Sequence, residues 1–309
     1  MISKKNERQR NNSPIAAPGR SSGGIGMYTV MGVTGQVGGE VARNLLAANK
    51  RVRVVVRDAE KGKAWAAKGC EVAIADANDI NTLIPAFSAS TGVFILLPAN
   101  FDPSEGFAQT RQIIENLRTA LETTRPEKVL CISTIGAQAR QPNLLNQLQI
   151  LEQSFGTLDL PITFLRPAWF MENSLWDIEP AKSSGVIPSF LQPLDKPVPM
   201  IATADVGRVS AELLQEDWCG KRIVELESEH QVTPNDIAAA LSQLLDKPVK
   251  MEVVPSDTWE ALFRSQGMSN PNPRIQMLHG FNEGWIRFEG IPRKGRVGLK
   301  EVLSALLSR

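Results

Sequence analysis

Three glycines, Gly32, Gly35 and Gly38, stand at regular spacing in the segment Gly-Val-Thr-Gly-Gln-Val-Gly. Glycines spaced in this way let a backbone turn tightly and come close to an anion. Free N–H groups and the positive end of a following helix then hold its charge. The order is GxxGxxG rather than the GxGxxG of the standard dinucleotide turn, but the physics is the same. About 20 residues further on, where such sites choose their ligand, stands Val56-Arg57-Asp58. Arg57 suits a phosphate. Asp58 would accept from ribose hydroxyls if it pointed inward, or else cap a helix. Asp76 offers another carboxylate, either for an amino group or for its own turn. Two residue types are nearly missing. The one tyrosine is Tyr28, and the histidines are His230 and His279. A mechanism that needs a mid-chain phenol is therefore excluded, and histidine relays have few candidates. Cys70, Cys131 and Cys219 form no CxxC pair, so no metal site is expected.

The elements around these residues alternate. Residues 28–33 read as a short apolar strand ending at the glycines, and Val37, Val41 and Leu45 mark one face of a helix over 35–49. Strands follow at 51–56, 71–75, 92–97, 128–132 and 162–165. Helices intervene near 59–67, 79–87, 104–123 and 143–156. The strands are apolar throughout, as in a parallel sheet covered on both faces. The order is that of an α/β, doubly wound, Rossmann-like sheet. After residue 166 prolines interrupt the rhythm. Helices are expected at 203–215, 234–245, 256–267 and 274–288, with strands near 222–226 and 249–254. The domain reading is a disordered tail (1–26), a dinucleotide-binding domain (27–165) to whose sheet the strand near 222–226 returns, and a smaller α+β substrate or partner lobe (166–309).

The chain has 309 residues, a formal net charge of +1 and 22% charged residues. No strong field points to nucleic acid or to an acidic membrane, and no apolar run approaches the ~20 residues that span a bilayer. Lys4, Lys5, Arg8, Arg10 and Arg20 against Glu7 make the tail basic, and it lacks large apolar side chains. With no secretory signal and unpaired cysteines, a cytoplasmic location is expected.

The segments GVTGQVGGEVARNLL (32–46), VRVVVRDAEK (52–61), ISTIGA (132–137) and TFLRPAWFMEN (163–173) resemble the NmrA-like family of atypical short-chain dehydrogenase/reductases. That family includes NADPH-dependent quinone and azo-dye reductases, isoflavone-reductase-like enzymes and redox sensors that bind the dinucleotide without turning it over. The likeness runs from about 27 to 305. It implies dinucleotide contacts at Gly32, Thr34, Gly35, Gln36, Val37, Gly38, Arg57, Asp76, Ala77, Leu97 and Ser133. It also implies a substrate pocket near Pro167, Trp169, Phe170 and Asn173.

The chain departs from its relatives on one helix. Short-chain reductases commonly carry Tyr-x-x-x-Lys there, the ammonium lowering the phenol's pKa. Aligned on Glu152, the tyrosine position holds Leu145 and the lysine position Gln149, and no lysine occurs between Lys128 and Lys182. Gln149 could bond a ribose or the nicotinamide amide, or could face solvent. Ser133 could donate to a carbonyl or to the nicotinamide, or be a satisfied loop hydroxyl. These two are the candidates for a catalytic role. Trp169, Phe170 and Met171 would suit a flat acceptor or be plain core. Arg57 favours NADP(H) over NAD(H). The expected function is NADPH-dependent reduction of a quinone-like or other activated small-molecule acceptor by direct hydride transfer. The alternative is a non-catalytic NAD(P)-binding redox sensor acting through a protein partner.

Overall fold

A computed structural model of the chain describes residues 26–308. The tail expected to be disordered, up to residue 25, lies outside them. The first half runs β1 (Met27–Val30), α1 (Gln36–Ala47), β2 (Arg51–Val56), α2 (Ala59–Ala66), β3 (Glu71–Ile74), α3 (Ile80–Phe87), β4 (Gly92–Ile95), α4 (Ala108–Thr124), β5 (Lys128–Ile132), α5 (Asn146–Gly156) and β6 (Ile162–Pro167). The second half runs β7 (Trp169–Phe170), α6 (Leu175–Ser183), β8 (Val186–Ser189), β9 (Met200–Ile201), α7 (Thr203–Gln215), β10 (Lys221–Glu227), α8 (Pro234–Leu245), β11 (Lys250–Val253), α9 (Trp259–Ser265), α10 (Asn272–Glu283), β12 (Arg293–Lys294) and α11 (Leu299–Leu307).

Eight strands form one sheet in the order β12-β10-β6-β5-β4-β1-β2-β3, and every pairing in it is parallel. The chain winds outward from β1 through β2 to β3, then returns to β4 and winds the other way. The crevice of such a sheet opens beyond the carboxyl ends of β1 and β4. One face is covered by α1, α2 and α7, the other by α3, α4 and α5. A third core holds Met171, Ile187, Trp259, Phe263 and Leu303, and forms the smaller lobe. The chain crosses residue 165 and comes back: α7, β10 and β12 belong to the layers of the large sheet.

Local chemistry sets the ends of the elements. Asp58 caps α2, accepting from Glu60 N at 2.9 Å. Thr233 and Asp236 cap α8 reciprocally, with Pro234 at its start. Four expectations need correction. The first strand stops at Val30, because the chain must begin its turn before Gly32. The helix expected from 143 begins at 146, because the Asn143 side chain accepts from Leu145 N at 2.8 Å and makes a turn of its own. The helix expected to reach 288 ends at 283, where Gly284 takes a φ of +86°. The outermost strand, β3, is not buried on both faces: Ile74 is half exposed.

Candidate functional site

The turn after β1 closes with Gly35 N donating to Gly32 O at 3.0 Å, while Gly32 holds a φ of +70°. A Cβ on Gly38 would lie 2.4 Å from Gly32 O and 2.5 Å from Met31 O. Only glycine there lets α1 start directly against the turn. The N-cap of α1, Gly35, has no side chain, and no acidic residue stands in the first turn. The first N–H groups of this helix are therefore without a side-chain acceptor, beside exposed Thr34, Gly35 and Gln36. Backbone donors at a helix start, at the reversal point of a parallel sheet, fit a pyrophosphate. Val37 is buried in the core beneath them. Gln36 turns towards α7, its Oε1 lying 3.0 Å from Thr203 Oγ1.

At the end of β2, Arg57 is exposed and makes no ion pair among the described residues, whereas the Asp58 carboxylate is occupied as a cap. Asp76 follows β3. The backbone N–H and side-chain amide of Asn78 both donate to its Oδ1 at 2.9 Å. They hold its carboxyl below the usual range, and Arg57 adds to the effect. The other carboxylate oxygen of Asp76 accepts no hydrogen bond among the described residues. Ala77 is buried and its carbonyl accepts from Asn116 Nδ2 at 3.0 Å. Leu97, half-buried, lines a cavity of about 200 Å³ with Asn100 and Thr110. Gln147, which the sequence reading did not single out, organises that edge. Its Oε1 accepts from Thr110 at 2.8 Å, and its Nε2 donates to Asn100 O at 2.9 Å.

The end of β5 carries Ser133, buried, with its hydroxyl donating to Glu152 Oε1 at 2.5 Å. Its proton is thus engaged with that carboxylate. Glu152, on α5, also receives a two-pronged pair from Arg166: Nε to Oε1 at 2.8 Å and Nη2 to Oε2 at 2.7 Å. Arg166 Nη1 donates to Glu289 Oε2 at 2.7 Å and to Gln138 Oε1 at 3.2 Å. Burial alone would lower the guanidinium's pKa. The bonds from Glu152 and Glu289 outweigh it and raise the pKa. Leu145 caps α5 and packs on the core of the smaller lobe. Gln149 is half-buried, not solvent-facing. Its Nε2 donates to Ala139 O at 3.0 Å, and its Oε1 accepts from Asn146 Nδ2 at 3.2 Å.

Of the expected pocket residues, Pro167 ends β6 and is buried. Trp169 meets the ring of Phe281 edge-on at 5.1 Å, Phe170 packs beside the sheet core, and Asn173 is exposed. Met171 is core, 1% exposed. The larger cavity, about 630 Å³, is lined by other residues: Gln138 and Gln141 after β5, Glu283 at the end of α10, and Trp285, Arg287 and Glu289 beyond it. None of the four expected residues lines either cavity. Among the described residues no cluster of ligating side chains could hold a metal, and no helix is long and apolar enough to cross a membrane.

A family model described as NAD(P)H-binding matches residues 32–217. The NAD(P)H azoreductase of Xenophilus azovorans is 26% identical over 249 residues, 78% of this chain and 82% of that protein. Quinone oxidoreductase 2 of Escherichia coli is 25% identical over 255 residues, 82% of this chain and 85% of that protein. The crystal structure of Citrobacter sp. triphenylmethane reductase complexed with NADP(H) superposes with a TM-score of 0.74 at 21% identity, covering 91% of this chain and 99% of that one. The chain belongs to the NAD(P)H-binding family, in keeping with the NmrA-like resemblance of its motifs.

Proposed function

We propose that this NAD(P)H-binding chain is an NADPH-dependent reductase that acts on a quinone-like or otherwise activated small molecule without a tyrosine–lysine pair. The observation that carries this reading is the start of α5. Aligned on Glu152, as the family resemblance implies, Leu145 and Gln149 take the positions of the pair, and both ends of the Gln149 amide are engaged within the protein. NADP(H) bound at the glycine turn would supply the hydride. The first N–H groups of α1 would take the charge of its pyrophosphate. Arg57 would take a 2′-phosphate, the free oxygen of Asp76 an amino group, and Ala77 and Leu97 would wall the ring systems. NADP(H) is favoured over NAD(H) because Asp58 is spent as a cap while Arg57 is uncommitted. Reducing a ketone leaves a basic alkoxide that needs a positioned acid. Reducing a quinone leaves a weakly basic oxygen that water can protonate. Residues 27–165 form the binding unit in this reading, and 166–309 contribute the acceptor side.

The test is titration with NADPH, NADP+, NADH and NAD+, followed by NADPH oxidation against a panel of quinones and azo dyes. Tightest binding of the phosphorylated pair, with at least one acceptor reduced, supports the reading. The second reading, a non-catalytic redox sensor, draws on the same occupied helix face. It takes over if NADPH binds, no acceptor is reduced, and a protein partner is captured with one redox form of the dinucleotide only.

A further inference from the structure

Arg166 is 3% exposed, and carboxylates surround it on three sides. Its fork clamps Glu152, and Nη1 reaches Glu289, with Glu225 Oε1 at 3.9 Å. Glu225 in turn accepts from the backbone N–H groups of Glu289 and Gly290 at 2.9 and 2.8 Å. Nη1 also reaches Gln138, whose Nε2 donates to Arg287 O at 2.7 Å. One guanidinium therefore touches both walls of the 630 Å³ cavity, Gln138 on one side and Glu289 on the other. Through Glu152 it also fixes α5 and Ser133, at the carboxyl end of β5.

We infer that Arg166 is a positioning residue that sets the width of this cavity, and that the cavity receives the acceptor. The inference rests on the reductase reading above. A buried ion cluster of this kind adds little net stability compared with apolar packing, yet it fixes geometry strongly. The planar fork has two parallel bonds to one partner and a third donor aimed at another, an arrangement lysine cannot reproduce. The cavity borders Gln149 through Ala139, so a change in its width alters the acceptor's placement without disturbing the glycine turn.

The test compares wild type, Arg166→Lys and Glu289→Gln, with menadione as the acceptor probe. Calorimetric titration gives the Kd values of NADPH and menadione, and steady-state assays give KM and kcat. Arg166→Lys is expected to raise the menadione Kd and KM roughly tenfold or more, with kcat within about threefold and the NADPH Kd within about twofold. Glu289→Gln, at the exposed rim, is expected to shift menadione about threefold in the same direction. It decides the matter if the lysine variant does not fold. An unchanged menadione Kd in a folded variant overturns the inference, and so does an NADPH Kd that rises as much as menadione's. Wild type that binds NADPH but no menadione up to its solubility also overturns it. If wild type binds menadione without oxidising NADPH, the reductase reading fails, and the Kd values alone judge Arg166.

Discussion

The hydroxyl of Ser133 and the carboxylate of Glu152 are joined at 2.5 Å, and the same carboxylate oxygen takes Arg166 Nε at 2.8 Å. A serine at the end of a central strand, beside a crevice, is an obvious proton donor for a reacting carbonyl. Here the proton is spent on a carboxylate that cannot release it cheaply. Ser133→Ala should therefore lower kcat for quinone reduction less than about tenfold, whereas removal of a true general acid costs roughly 10²–10⁴-fold. Steady-state NADPH oxidation decides it, and a loss of that larger size would make Ser133 catalytic.

Glu152→Gln should behave differently. It keeps the shape and removes the charge opposite a buried guanidinium, leaving Arg166 with the rim carboxylate of Glu289 and the more distant Glu225. Breaking a buried pair by changing one partner costs about 3–5 kcal/mol. Glu289 and Glu225 partly compensate, so the lower end, about 3 kcal/mol, is expected from urea unfolding. A cost under about 1 kcal/mol would show that the cluster relaxes freely.

Why was this cluster not legible in the sequence? Glu152 served there only as an alignment mark, and Arg166 only as part of a motif. Their pairing depends on β6 lying beside β5 with α5 packed over both, a tertiary fact that periodicity does not carry. The sheet was legible because strands buried on both faces read as unbroken apolar runs, as β1, β4 and β5 do. The glycine turn was legible because Gly38 admits no side chain. Two classes of feature escaped. Helix α6 contains Pro180, which reads as a breaker, and β8 contains Pro188. The walls of the large cavity come from segments more than a hundred residues apart. Met171, for which the sequence offered either contact with a flat acceptor or plain core, lies in the core of the smaller lobe.

The two residues after β2 should separate cleanly by mutation. Arg57→Ala should weaken NADPH binding by about 1–3 kcal/mol and barely change NADH binding, because only the former carries a phosphate for the guanidinium. Asp58→Ala should leave both affinities nearly unchanged and cost about 1 kcal/mol of stability, because its carboxylate accepts from Glu60 N at the start of α2. Fluorescence titration and urea unfolding of both variants check this. Equal losses for NADPH and NADH in Arg57→Ala would show that Arg57 does not read the phosphate.

Asp177, on α6, tests the electrostatics of the smaller lobe. Burial pushes its carboxyl up to about 6, and a hydrogen bond from Ser174 offsets only part of that. In the unfolded chain the group titrates near 4, at about the usual aspartate value. The folded value is the higher one, so the folded protein favours the neutral form. The group therefore imposes no charge penalty below about pH 4. The penalty grows as pH rises from about 4 to about 6 and stays constant above that. Asp177→Asn removes the charge and keeps the shape. The variant should be more stable than wild type by roughly 2 kcal/mol at pH 7.5, the advantage shrinking as pH falls through about 6 and vanishing below about pH 4. Urea unfolding of both proteins across that window gives the difference directly. A difference that stays constant with pH would mean that the Asp177 carboxyl titrates alike in the folded and unfolded chains, and that its place against the smaller lobe carries no charge penalty.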